Sequence, residues 1–200
     1  MTAIGRPRSF DADEALEAAM LVFWRHGYEG ASLTDLTAAM GITRTSMYAA
    51  FGNKEELFRK ALARYDDGPA SYALRAVDEP TAHEVAKAFL EGAVLTTTRP
   101  DGPQGCLGVQ GSLAAGEAAE TARQILAEWR DKGRRLLETR FRRAVSEGDL
   151  PTGTDAGRLA LYVITVGFGI SVQAASGVSR ADLRGIADTA LHNWPVVQSH

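Results

Sequence analysis

The stretch Ser32–Lys54, SLTDLTAAMGITRTSMYAAFGNK, decides the fold of the N-terminal part of this chain. It contains two short amphipathic segments, which the letters MGIT at residues 40–43 join. Glycine reaches the left-handed backbone of a sharp turn, and threonine is a good N-cap for the next helix. We therefore predict two short helices, capped by Ser32 and Thr43, that cross at the steep angle of a helix-turn-helix.

The two faces of the second helix differ in a way that is typical of a DNA-reading helix. Met47 and Phe51 lie on its apolar side. We expect this side to pack against Leu36 of the first helix and to be buried. The opposite side presents Arg44, which pairs well with guanine or phosphate, among small hydroxyl side chains. No acidic residue occurs between Leu36 and the asparagine before Lys54, so the surface suits a polyanion. The alternative is a pair of bundle helices with merely solvated polar residues.

Caps and breakers along the rest of the chain predict further helices and no β-strand. Asn53, three residues before Glu56, opens a fourth helix in the manner of a capping box. Nine helices result, at about residues 11–26, 32–40, 43–51, 53–65, 81–98, 105–115, 118–147, 155–175 and 179–194. The sequence therefore predicts an all-α protein with a small N-terminal head and a larger helical body.

The composition is that of an ordinary globular protein. The 200 residues have a net charge of −3, with 45% hydrophobic and 24% charged residues. A single cysteine, Cys106, excludes an intrachain disulfide and a cysteine-based zinc finger. The uncharged segment Leu159–Ser179 is long enough to span a bilayer, but its glycines and polar residues favour a buried helix over a membrane span. The N-terminus has no apolar signal core, so we expect a cytoplasmic protein.

The N-terminal motif resembles that of the TetR family of bacterial regulators over about residues 10–58. The resemblance lies in Phe23-x-x-x-Gly27-Tyr28, Ala31-Ser32-Leu33-x-x-Leu36 and Gly41-Ile42-x-x-x-x-Met47-Tyr48-x-x-Phe51-x-x-Lys54-Glu55-x-Leu57. It implies a DNA-binding head at residues 1–65, with a basic arm at 1–9, and an effector-binding, dimerising body at 66–200. Thr37, Thr45 and the pair Ala49-Ala50 depart from the residues common in that family.

The resemblance and the polar pattern together predict the residues that contact DNA. They are Arg6 and Arg8 of the basic arm and, in the head, Ser32, Thr34, Thr43, Arg44, Thr45, Ser46, Tyr48 and Lys54. The segment Gly5–Arg8 is suited to the minor groove, because arginine is drawn to its negative potential. A basic tail without a role in DNA binding is the alternative for that arm.

The resemblance implies a homodimer whose interface lies on the last two predicted helices, and the composition of these helices agrees. The helix at residues 155–175 is apolar on all sides, so it must be covered on all sides. The predicted interface comprises Leu159, Val163, Val166, Ile170, Leu183, Ile186 and Ala190. A two-fold dimer places two recognition helices about 34–36 Å apart and requires a near-palindromic double-stranded operator. A monomer that buries both stripes internally is the alternative.

Aromatic and polar residues spread over the body helices predict an effector pocket. The candidates are Phe89, Thr97, Cys106, Gln110, Trp129, Phe141, Tyr162 and Phe168. We expect a neutral, moderately apolar small molecule, because the arginine-rich run at residues 130–143 has the pattern of a solvated, acid-paired face. A second anion site in that run is the alternative.

Cys106 also permits a different kind of regulation. It follows Gly105 at the predicted start of a helix, where the helix dipole can lower the pKa of a thiol and increase its reactivity. Electrophile or redox sensing is therefore an alternative to simple packing of this side chain. We expect no cofactor, no metal site and no enzymatic activity, because the chain has no nucleophile elbow, phosphate-binding glycine loop or metal-ligand spacing. The prediction is a repressor that a small molecule releases from DNA; a non-switching DNA-binding protein is a further alternative.

Overall fold

The computed structural model describes residues 10–110, 120–192 and 194–195, and over these residues it contains ten helices and no strand. The helices are α1 (Ala12–Gly30), α2 (Leu33–Met40), α3 (Arg44–Phe51), α4 (Lys54–Asp67), α5 (Tyr72–Ala76), α6 (Ala82–Thr97), α7 (Leu107–Gln110), α8 (Glu120–Glu147), α9 (Ala156–Ala175) and α10 (Arg180–His192). The all-α prediction is confirmed, and the described residues contain ten helices where the sequence predicts about nine. The additional helix is α5, whose five residues are too few to show a helical period in the sequence.

The local signals in the head form the structures that the sequence predicts. The Ser32 hydroxyl accepts from the backbone N–H of Asp35, and Asn53 makes the same type of capping box with Glu56. Thr43 caps α3 through the backbone N–H of Ser46. Gly41 ends α2 in the left-handed conformation, with φ 65° and ψ 27°, which a residue with a side chain adopts only with strain. The turn between α2 and α3 is therefore determined by its own residues.

The core of the head does not end at the fourth helix. Trp24 of α1 packs edge-on against Tyr65 of α4, with ring centroids 4.8 Å apart. The same buried cluster continues into Leu107 of α7 and Leu126 of α8. The indole N–H of Trp24 also donates to the carbonyl oxygen of Gly105 at 3.1 Å. The recognition head and the start of the body therefore share one packed interior.

A second core holds the body together. α9 packs against α6 and α8, and α10 packs against α6 and α9. Phe89, Leu137, Phe141 and Val163 are among its buried side chains. α9 is long and apolar enough to cross a membrane, and 39% of its most apolar window is buried. Its buried face lies in the body core, as in a core helix of a globular protein.

Candidate DNA interface and effector cavity

The recognition helix α3 turns its polar residues outward. Arg44, Thr45 and Tyr48 are exposed, and the Tyr48 side chain is 48% exposed. Met47 and Phe51, on the other side, are buried in the head core. This is the arrangement that the helical pattern predicts, and it leaves a polar face available for the edge of a DNA groove.

Hydrogen bonds connect the polar residues of α2 and α3. Arg44 Nη2 donates to Thr34 Oγ1 at 3.0 Å, which links the start of the recognition helix to its neighbour. Ser32 donates through its hydroxyl to the Asp35 carboxylate at 2.6 Å. That hydrogen bond lowers the pKa of Asp35, so the carboxylate holds the cap firmly. The oxygen of Ser46 lies 3.0 Å from the Thr43 hydroxyl. Ser32, Thr43 and Ser46 thus already have structural partners.

Lys54 lies at the first position of α4, against an aromatic ring. Its ammonium nitrogen is 4.5 Å from the centre of the Tyr28 ring, a cation–π distance. Burial lowers the pKa of Lys54, and the nearby Glu29 carboxylate opposes this shift. Of the remaining predicted DNA-contact residues, Arg6 and Arg8 lie outside the described residues.

A cavity of about 520 Å³ lies in the body, between the end of α4 and helices α5, α6, α8 and α9. This volume falls within the range of about 300–1,000 Å³ that is common for small-molecule sites. Phe89, Trp129, Ile164 and Phe168 contribute apolar and aromatic surface to its wall. The cavity can therefore enclose the apolar part of a ligand.

Four of the eight predicted pocket residues line this cavity. They are Phe89, Cys106, Trp129 and Phe168. The other four, Thr97, Gln110, Phe141 and Tyr162, do not line it, so these predictions need correction.

Each of the four has a clear alternative position. Thr97 is buried and donates to the Ala93 carbonyl within α6. Gln110 donates to the carbonyl of Gln104. Phe141 packs in the body core, and the hydroxyl of Tyr162 donates to the Ala190 carbonyl of α10. Their spacing along the chain did not show which side of each helix faces the cavity.

Part of the cavity wall is cationic, which the sequence pattern did not predict. Five basic side chains line it: Arg130, Lys132, Arg135, Arg140 and Arg143. The prediction of an acid-paired face is correct for part of the run, because Arg134 forms ion pairs with Asp131 and Glu138. Arg140 is different, because it is buried and has no carboxylate partner among the described residues. A 28-residue helix carries both kinds of arginine, and only the packing distinguishes them.

Cys106 lies where the cavity wall meets the core of the head. The thiol is buried, and its hydrogen-bond partners are the Tyr65 side chain and the backbone N–H groups of Gly108 and Val109. Burial raises the pKa of this thiol, an effect larger than that of its hydrogen bonds. The expectation of a lowered pKa is therefore wrong: α7 spans only Leu107–Gln110, and desolvation outweighs its dipole.

The predicted dimer residues lie mostly inside one subunit. Val163, Ile170, Leu183 and Ala190 are buried in the body core, and Leu159 and Val166 are partly buried against it. Only Ile186 of that set is exposed. Most of this set therefore packs against its own subunit, which the sequence does not reveal because a helix that is apolar all round gives no internal marker of its orientation.

A different apolar face of α9 and α10 is open. It comprises Leu161, Tyr162, Val172 and Ile186, which we call the α9–α10 face. Leu161 and Ile186 are each 53% exposed. The alternative of a monomer with both α9 stripes buried internally therefore does not match the structure.

Comparison with known proteins places the whole chain. The family model for bacterial regulatory proteins of the tetR family matches residues 15–61, and the model for the tetracyclin repressor-like C-terminal domain matches residues 85–185. The chain is 36% identical over 199 residues to the transcriptional repressor ComR of Escherichia coli, covering 96% of this chain and 92% of ComR. It is 30% identical over 189 residues to the repressor AcnR of Corynebacterium glutamicum, covering 93% of each.

A solved structure shows how a similar chain is used. A cysteine mutant of the TetR-family regulator CifR, complexed with a 26-base-pair double-stranded operator, has a TM-score of 0.90 and 44% identity to this chain. The likeness covers 95% of this chain and 100% of that one. The chain therefore belongs to the TetR family and is a DNA-binding transcriptional repressor of the helix-turn-helix type.

Proposed function

We propose that this repressor binds its operator as a homodimer and releases it when a small molecule enters the body cavity. The observation that supports this proposal is the position of Cys106, which belongs both to the cavity wall and to the core of the head. A ligand that moves this wall therefore acts directly on the packing that orients α4.

Two contacts at the end of α4 extend this connection. The indole N–H of Trp129, on the cavity wall, donates to Asp66 at 2.7 Å. The ammonium of Lys132 lies 3.5 Å from the same carboxylate. A shift of α8 on ligand binding therefore pulls on the last turn of α4 and changes the orientation of the head. The ligand lowers operator affinity by the difference between its affinities for the two arrangements.

The α9–α10 face is the proposed dimer interface. An exposed apolar face on two neighbouring helices is costly in water and is well suited to an isologous contact. Two recognition helices related by a two-fold axis fit half-sites about 34–36 Å apart. The expected operator is therefore nearly palindromic.

The proposed DNA contacts follow from the geometry of the head. Arg44, Thr45 and Tyr48 are available to base edges and phosphates. Ser32, Thr34, Thr43 and Ser46 contribute mainly by fixing α2 and α3, whose N-terminal backbone N–H groups suit phosphates. Lys54 is placed for the phosphate backbone at the start of α4. This activity is binding without a chemical step, and we place the protein in the cytoplasm with its DNA.

Reciprocal binding measurements test the switch. We would select the operator from random DNA fragments, screen small molecules for operator release, and measure each releasing compound against free and operator-bound protein. The proposal requires weaker binding to the operator complex, by the same factor as the loss of operator affinity. Equal affinity for both forms contradicts it.

A cavity-filling variant localises the effect. Ala73→Trp places an indole in the cavity wall and is expected to keep operator binding while abolishing release. Ala127→Trp, on an exposed part of α8, is the matched control and should respond like the wild type. Normal release by the Ala73→Trp protein would mean that the ligand binds elsewhere.

A thiol switch at Cys106 is the second candidate, because the thiol lies on the cavity wall. The raised pKa argues for slow reaction, so the test compares N-ethylmaleimide with non-reactive releasing compounds. Release by N-ethylmaleimide in the wild type and its loss in Cys106→Ser would support sensing. Identical responses of both proteins to all compounds would exclude it. A non-switching DNA-binding protein, the remaining alternative, does not need a 520 Å³ cavity.

A further inference from the structure

Arg140 is a buried guanidinium on the cavity wall with one unused nitrogen. The residue is only 4% exposed. Its Nε donates to the Val77 carbonyl at 3.2 Å, and its Nη2 donates to the carbonyls of Glu79 and Pro80 at 2.9 Å. Its Nη1 has no hydrogen-bond partner among the described residues. A buried donor without an acceptor is costly, so this nitrogen favours an incoming oxygen.

The charge of Arg140 also lacks a counter-ion. Within the described residues it forms no ion pair, whereas its neighbours on α8 do: Arg142 pairs with Glu138, and Arg143 with Glu147. Three backbone carbonyls supply only partial negative charge. A buried cation in that situation stabilises an anion placed beside it more than a solvated arginine does.

Most of the other basic residues that line the cavity have counter-ions: Lys132 pairs with Asp66, Arg135 with Asp131 and Arg143 with Glu147. Two acidic residues, Asp66 and Asp78, line it together with the five basic ones. Asp66 is already held by Trp129 and Lys132, and Asp78 is exposed. The other walls are apolar, with Phe89, Phe168 and Ile164 among the lining residues. The cavity therefore combines one buried guanidinium, that of Arg140, which has no ion-pair partner among the described residues, with a mainly apolar interior.

We propose that the effector is an amphipathic carboxylate, whose carboxylate group is bound by Arg140 and whose apolar body lies against Phe89, Ile164 and Phe168. This inference rests on the proposed function, because it names the ligand class of the same cavity. It replaces the neutral effector expected from the sequence. One free guanidinium nitrogen matches one carboxylate oxygen, whereas a phosphate monoester carries more charge and needs more donors.

A ligand series that differs only in the head group tests the inference. Decanoate, decan-1-ol and decylammonium have the same chain length and differ in charge. We would titrate each into the full-length protein below its aggregation concentration, following tryptophan fluorescence and heat. Decanoate should bind about tenfold or more tightly than decanol, because a hydrogen bond to a charged group is the stronger kind. Decylammonium should bind most weakly. Decanol binding within threefold of decanoate, or no saturable binding of decanoate, overturns the inference.

Substitution of Arg140 gives the matching protein series. Arg140→Gln should lower decanoate affinity by about tenfold and leave decanol affinity unchanged. Arg142→Gln, on an exposed part of the same helix, is the control and should bind both as the wild type does. Arg140→Gln could fail to fold, because three carbonyls lose their donor. In that case two other experiments still test the inference: the Arg140→Lys variant, which keeps the charge, and the wild-type ligand series. Unchanged decanoate preference in a folded Arg140→Gln protein overturns the inference.

Operator binding separates this inference from the function on which it rests. If decanoate binds through Arg140 but operator affinity stays constant, the ligand class is correct and the release mechanism is wrong. If decanol binds as well as decanoate and releases the operator, the release mechanism is supported and the carboxylate inference fails.

Discussion

Arg44 donates to the Thr34 hydroxyl of α2, and we propose that it also contacts the operator DNA. The hydrogen bond of 3.0 Å to Thr34 holds the guanidinium at the start of α3 without using all five of its N–H groups. The remaining donors are free to form a bidentate pair with the major-groove edge of guanine. Orientation by Thr34 therefore lowers the entropy cost of that contact.

Removal of this side chain should weaken operator binding. Arg44→Ala is expected to cost about 1–3 kcal/mol and to relax the preference for guanine at one position of each half-site. Fluorescence anisotropy with the selected operator and with single-base variants measures both effects. Arg158→Ala, at a well-exposed position near the start of α9, makes the same charge change and should leave affinity unaltered. An Arg44→Ala protein that binds within twofold of the wild type would refute the contact.

Single residues also show what sequence alone can and cannot predict. Ser32, Thr43 and Asn53 cap their helices as expected, because each cap needs a partner only three residues away. For Arg140 the sequence predicts a solvated face, whereas the side chain is buried. Its partners are carbonyls of residues 77–80, about sixty positions away along the chain, and no sequence pattern links them to Arg140. Local chemistry is legible in the sequence, and distant partners are not.

At the scale of elements, α7 and α8 approach each other at a glycine. A Cβ atom on Gly108 would lie 2.1 Å from the ring of Trp129, far inside contact distance. The close approach keeps Trp129 on the cavity wall and within reach of Asp66. The packing of these two helices therefore depends on the absence of one methyl group.

Gly108→Ala should displace the Trp129 ring and destabilise the protein by about 1–3 kcal/mol. Urea denaturation measures the loss, and the fluorescence maximum of the folded state should shift as the indole moves. Gly133→Ala is the control within α8, since its new Cβ would be 3.7 Å from Ile164, an ordinary contact. At that position the helical preference of alanine should increase the stability of the protein by as much as about 1 kcal/mol. Equal stability of the two variants would show that Trp129 can move at no cost.

The α9–α10 face gives the second prediction at this scale. If the α9–α10 face is the dimer interface that we propose, Ile186→Asp buries like charges in it, and the protein should become monomeric. Analytical ultracentrifugation at micromolar concentration measures this change. Leu95→Asp, at a comparably exposed leucine of α6, should remain dimeric. A dimeric Ile186→Asp protein would locate the interface elsewhere.

The two apolar stripes of α9 explain why the sequence does not show which of them is buried in the body core. Both stripes are apolar in the sequence, so the 3.6-residue period predicts that the helix is covered on both sides. It does not show what covers each side. The existence, order and approximate ends of the longer helices follow from caps and breakers. The assignment of their faces, and the short helix α5, depend on tertiary packing.

For the whole molecule, stability should fall in alkaline solution. Burial raises the pKa of the Cys106 thiol and of the Tyr65 hydroxyl in the folded state. The unfolded chain therefore loses these protons first, at about pH 8.5 for cysteine and about pH 10 for tyrosine, and the folded state binds more protons above those values. Above its ordinary pKa, each group should then lower the free energy of unfolding by about 1.4 kcal/mol per pH unit, until the pH reaches its folded-state pKa.

Denaturation in urea from pH 7 to about pH 11 measures this decline, because that range includes the ordinary pKa of both groups. In the Cys106→Ser variant, the part that begins near pH 8.5 should be absent, while the tyrosine part remains. Parallel curves for the wild type and Cys106→Ser over this interval would show that the thiol ionises equally well in both states.

The shared interior around Trp24 has a consequence for how such repressors can be divided and recombined. Trp24 donates a hydrogen bond to the Gly105 carbonyl, and Tyr65 forms one with Cys106. Without the body, the head would therefore expose to water the apolar surface that packs against these residues. A graft of this head onto a foreign body therefore has to bring α7 and the first turns of α8 with it. Under the release mechanism that we propose, substitutions at this shared interior should alter operator binding and ligand response together.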